Sequence, residues 1–93
     1  MRKEMSMTLE SLRKKIDYLD IKIIELIGKR IAFSHEIGRL KRLKKLSIID
    51  KKREQEVLQK SLHTGRYFCL PKSMTMTIFK AILKTSRQAQ MLL

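Results

Sequence analysis

Leu12, Ile16, Leu19, Ile23, Leu26, Arg30, Phe33, Ile37 and Leu40 follow one another at alternating steps of four and three residues. That is the a/d seam of one long amphipathic helix. Thr8 or Ser6 is placed to cap its start, and the first proline is Pro71. The pattern therefore predicts a first helix over about residues 8–45, roughly 57 Å long at 1.5 Å per residue. A compact chain of 93 residues has a radius of gyration of only about 12 Å. Such a helix is expected to project, with its seam covered by another chain.

The remaining pattern is also helical. Ser47 to Asp50 breaks the seam, and Asp50 stands where an N-cap or first-turn carboxylate favours a second helix, read as about residues 50–64. Val57, Leu58 and Leu62 give it an apolar face, and Gly65 is expected to end it. GRYFCLPKS reads as a loop, and Pro71 suits the start of a third helix over about residues 71–92, lined by Ile78, Phe79, Ile82 and Leu83. Met5, Met7, Met74 and Met76 read as packing or end residues. With no strand pattern, repeat or linker, residues 1–93 read as a single all-α domain.

A chain this short buries a small fraction of its surface and needs a disulfide, a metal or a partner subunit. Cys69 is the lone cysteine, and His35 and His63 are too few and too far apart to make a metal set. Oligomerisation remains. The N-terminus MRKEMSMTLES has no apolar signal core, and no stretch approaches a membrane span, so a cytoplasmic protein is expected. Twenty-two Lys and Arg against nine Asp and Glu give a net charge of +13, a field that draws in nucleic acid, anionic lipid or a small polyanion alike.

Polar residues on the apolar faces carry more information. Arg30 interrupts the first seam, and there are two ways to read it: a side chain snorkelling to water, or a ligand to something buried. Lys41 lies eleven residues further on, about 20° round the helix and roughly 16 Å along it. Glu54 falls on the apolar stripe of helix 2, and Ser86 and Gln90 continue the line of Ile82 on helix 3. Each unpartnered buried polar group would cost a few kcal/mol, roughly, so these groups must pair with one another or with a ligand. The resulting pocket is mostly cationic, with a carboxylate and an amide, and it suits a small molecule bearing carboxylates and hydroxyl or ether oxygens. The sequence offers it no nucleophile–base pair, metal cluster or glycine-rich phosphate loop. Gly28 and Gly38 either admit a close neighbour or are simply tolerated in the helix. Arg13 stands 17 residues before Arg30, some 25 Å away along the axis. It can reach the pocket of a two-fold partner but not its own.

LRKKIDYLD (12–20), Arg30, IGRLK (37–41), IIDKKRE (48–54) and SRQAQ (86–90), in this order and spacing, resemble the all-helical AroQ-type chorismate mutases over about residues 9–92. The resemblance implies an intertwined homodimer of three-helix chains that converts chorismate to prephenate, on the route to phenylalanine and tyrosine, without a cofactor. By position it implies that Arg13 of the partner chain and Arg30 bind the two substrate carboxylates. Lys41 and Gln90 would donate to the ether oxygen of the breaking bond. Glu54, helped by the backbone near Asp50, would hold the ring hydroxyl, and Arg53 and Ser86 would complete the wall.

Two other readings stand beside this one. Isochorismate-pyruvate lyases share the all-helical dimer and several cations, but Glu54 within a complete IIDKKRE segment favours the mutase. The run RLKRLKKLS (39–47) also suits a basic module that binds nucleic acid or a partner protein. With three Phe, two Tyr and no Trp the chain lacks a base-stacking set. Lys14, Lys15, Arg42, Lys44, Lys45, Lys51 and Lys52 are accordingly read as surface residues.

Overall fold

The computed structural model describes residues 8–92. Three helices follow in order: α1 (Leu9–Leu43), α2 (Lys51–Tyr67) and α3 (Lys72–Met91). Among the described residues there is no strand, and no helix is long and apolar enough to cross a membrane. The chain divides into two compact units, Met1–Arg30 and Ile31–Leu93. The first holds the N-terminal part of α1; the second holds the rest of α1 with α2 and α3.

Thr8 caps α1. Its hydroxyl accepts from the Ser11 backbone N–H at 3.0 Å while the Ser11 hydroxyl accepts from the Thr8 N–H at 3.0 Å. This reciprocal pair satisfies two donors that a helix start leaves open. The alternative cap Ser6, like Met5 and Met7, lies outside the described residues. In the first unit the apolar seam of α1 faces outward, with Leu26 63% exposed.

α1 stops at Leu43, two residues short of the sequence estimate, because Lys45 turns left-handed with φ 57°. The Leu46 N–H then donates to the Lys41 carbonyl at 2.7 Å and the Lys45 N–H to the Arg42 carbonyl at 3.2 Å, closing a Schellman turn. A lysine occupies the position that glycine fills at least cost. Lys45→Gly is therefore expected to raise stability by about 0.5–1 kcal/mol, read as a higher urea midpoint with unchanged slope.

Asp50 caps α2 as expected, its carboxylate accepting from the Arg53 N–H at 3.0 Å. Gly65 does not end α2. The helix runs on to Tyr67 and closes with its own left-handed residue, Cys69 at φ 62°, as the Leu70 N–H reaches the Gly65 carbonyl at 2.8 Å. The loop is correspondingly shorter than GRYFCLPKS, and Pro71 directly precedes α3.

Gly65 has a packing role instead. It is buried, and a Cβ there would run into the Thr75 hydroxyl and stand 3.3 Å from Thr75 Cγ2. Thr75 is 3% exposed, and its hydroxyl has no hydrogen-bond partner. This contact sets the approach of α2 to α3, which pack against each other in the second unit. Gly65→Ala is expected to lower stability by about 1–3 kcal/mol through overpacking. Thr75→Val removes an unsatisfied buried oxygen at nearly constant shape, and is expected to be neutral or stabilising by about 1 kcal/mol. Thermal melts of the two variants check both signs.

The core of the second unit is small: among the described hydrophobic residues only Leu83 and Ala89 are buried. Val57, Leu58, Leu62, Phe79 and Ile82 are half-buried around them. The exposed Glu36 and Arg39 pair on the outer face of α1, and Arg39 holds the Glu36 carboxyl below its usual range. Fully solvated, that pair contributes little to the fold.

Candidate active site

The second unit brings the C-terminal part of α1 against α3. The Lys41 Nζ donates to Gln90 Oε1 at 2.8 Å and to the Ile48 carbonyl at 2.7 Å. Both contacts follow from local structure. The Schellman turn reverses the chain beyond Leu43, so that the Ile48 carbonyl returns over the Lys41 ammonium. Gly38, one turn before Lys41, is buried with no side chain to separate it from the Gln90 main chain; a Cβ there would collide with the Gln90 carbonyl oxygen and lie 2.7 Å from its Cα. This settles the two readings of the helix glycines: Gly38 admits a close neighbour, whereas Gly28 has nothing within 4 Å.

Ser86 lies one turn before Gln90 on α3 and is 6% exposed. It pairs with Ser34 across a buried hydroxyl–hydroxyl bond of 3.1 Å. Glu54, half-buried on α2, accepts from the Arg87 guanidinium at 2.7 Å. With side chains 33% and 25% exposed, this ion pair is better shielded from water than any other among the described residues. Asp50 is exposed and spends its carboxylate on the cap, while its carbonyl accepts from the Glu54 N–H at 3.0 Å. Arg53 is exposed and lies 3.4 Å from Glu56 on its own helix.

Of the residues singled out in the sequence, Lys41, Asp50, Arg53, Glu54, Ser86 and Gln90 fall in the second unit, and Lys41 touches Gln90 directly. Arg13 and Arg30 fall in the first; Arg13 is exposed and Arg30 half-buried. Sequence reasoning missed Ser34 and Arg87. Ser34 lies four residues after Arg30 and five before Arg39, where the basic run begins, a small polar residue with no periodic signal of its own. Arg87 follows Ser86 and sits 33 residues from Glu54, a pairing visible only once α2 and α3 are packed.

The model of the type II chorismate mutase family matches residues 12–91. The chain belongs to that family. Among solved structures it is similar to a conserved hypothetical protein from Pyrococcus furiosus, at 39% identity over 91% of this chain and 97% of that one, with a TM-score of 0.73. No curated protein matches it. Family membership makes chorismate mutase-type chemistry the frame for the site, and what that chemistry asks for is donors around a dianion.

Proposed function

We propose that the protein is a chorismate mutase: it rearranges chorismate to prephenate at the entry to phenylalanine and tyrosine synthesis. The observation that carries the reading is the 2.8 Å contact between Lys41 and Gln90. A lysine ammonium has three N–H donors, and Gln90 Oε1 and the Ile48 carbonyl take two of them. The third is left for the ether oxygen of the substrate. Because Gln90 Oε1 accepts from Lys41, the amide nitrogen of Gln90 is the group available as a donor.

A Claisen rearrangement breaks one C–O bond and makes one C–C bond within a single molecule, so it calls for neither nucleophile nor base. Orientation supplies part of the acceleration, since gripping a flexible dianion in a compact chair is an entropic gain. Fixed donors at the oxygen where negative charge grows supply the rest. An acceleration of about 10⁶-fold needs roughly 8 kcal/mol.

In this reading Arg30, and Arg13 of a partner subunit, bind the two carboxylates. Glu54 holds the ring hydroxyl with help from the backbone at Asp50, and Arg53 and Ser86 complete the wall. The active form is an intertwined homodimer. Support for the dimer comes from the α1 seam, where Leu26 and Phe33 are 63% and 70% exposed in the single chain, a large apolar area for water to meet.

The reaction is tested by incubating the protein separately with chorismate and with isochorismate and identifying the products. Prephenate from the first supports the mutase; salicylate and pyruvate from the second, with chorismate untouched, would make the protein a lyase. The shared site is tested by subunit mixing. Arg13→Ala and Lys41→Ala dimers, each inactive, are expected to regain about a quarter of wild-type activity after unfolding and refolding together, because half of the dimers are mixed and each carries one intact site. No regain would place Arg13 in the same site as its own Lys41 or outside the chemistry.

A further inference from the structure

Gln90 sits in the last turn of α3, which ends at Met91. The final four carbonyls of a helix have no partner within it, and such turns fray. A side chain that must hold a donor at a reacting oxygen is badly placed there unless something outside the helix fixes the turn. The Arg42 guanidinium does so, donating to the Gln90 main-chain carbonyl at 2.9 Å. One turn of α1 thus meets Gln90 three times: Gly38 against its main chain, Lys41 on its side-chain amide and Arg42 on its carbonyl.

We infer that Arg42 is a positioning residue for Gln90, holding its main chain while Lys41 holds its side chain, and is separate in role from Lys44 and Lys45 of the same run. The inference rests on the mutase reading only for its catalytic consequence. The chemistry favours arginine at this position. A cation at a helix C-terminus is attracted by the partial negative charge of the open carbonyls, and a planar guanidinium holds its direction better than a flexible ammonium. Lys44 and Lys45 lie in the same run, but neither makes a side-chain contact with α3 like that of Arg42.

The test uses full-length Arg42→Met, which keeps an apolar stem, and Arg42→Lys, which restores a cationic donor. In the substrate-free protein, the order parameter of the Gln90 side-chain amide, read by ¹⁵N relaxation, should fall in Arg42→Met and recover in part in Arg42→Lys. With chorismate, Arg42→Met should lose about five- to ten-fold in kcat with KM changed less than two-fold, and added salt should not remove the loss. In a Gln90→Ala background Arg42→Met should cost nothing further, since the group it positions is gone. An unchanged order parameter in Arg42→Met overturns the inference. So does an unchanged kcat, a loss that appears only in KM and vanishes with salt, or full additivity with Gln90→Ala. If the wild type converts no chorismate the mutase reading fails, and the relaxation measurement alone then decides the positioning role.

Discussion

Lys41→Ala is expected to lower kcat by about 10²–10³-fold, the usual effect of removing one preorganised donor from a developing oxyanion. The variant loses the donor assigned to the ether oxygen and also the anchor that sets the Gln90 amide, because the same ammonium bonds Gln90 Oε1 and the Ile48 carbonyl. Gln90→Ala should lose a comparable factor. Groups that act as a unit are not additive, so the double variant should fall well short of the product of the two losses. Lys41 is half-buried and contributes no apolar core surface, and folding should survive. Circular dichroism and steady-state kinetics on the same preparations separate the outcomes: a folded variant turning over at the wild-type rate would remove Lys41 from the chemistry.

Gly38→Ala carries the second large effect, and it runs against propensity. Alanine in place of a helical glycine ordinarily stabilises a helix by up to about 1 kcal/mol. Here the new methyl would meet the Gln90 carbonyl oxygen, with Gln90 Cα and C at 2.7 and 2.8 Å. All three are main-chain atoms, so no rotamer change relieves the clash and the last turn of α3 must move. A shift of about 1 Å in a positioned group can cost about 10²-fold in rate, and overpacking of this kind costs about 1–3 kcal/mol. The expected result is a folded but less stable protein with kcat down about 10²-fold. Gly28→Ala, with nothing of its own chain within 4 Å of the added methyl, is the control and should keep its activity. Equal activity in the two variants would contradict the close-packing account of Gly38.

The helices were legible in the sequence because their signals are local. The four-three seam located α1, the Asp50 cap located the start of α2, and Pro71 marked the approach to α3. Gly65 misled because a glycine near the end of an apolar stripe has the same appearance whether it caps the helix or receives a neighbour. The difference lies in Thr75, ten residues away on the next helix. Lys45 and Cys69 could not be foreseen as left-handed caps, since neither residue type favours that conformation. Lys41 and Gln90 stood out as polar residues on apolar faces, and a contact between α1 and α3 brings them together. Ser34, Arg87 and Arg42 did not stand out. Each acts through one partner that is 33 to 52 residues distant in sequence, and a lone serine or one arginine among many carries no trace of such a partner. The large positive charge remains mostly surface: Lys14, Lys15, Lys44, Lys51 and Lys52 are all exposed.

The central claim is that donors held by Lys41 and Gln90 bind the rearranging molecule more tightly than its ground state. The most direct measurement is calorimetric titration of wild type and Lys41→Ala with a stable bicyclic ether dicarboxylate that mimics the compact geometry of the rearrangement. Transition-state mimics bind about 10²-fold or more tighter than substrates. The wild type should show that preference over its KM for chorismate, and Lys41→Ala should weaken the mimic by about 10²-fold. Equal affinity of the two proteins for the mimic would contradict the account.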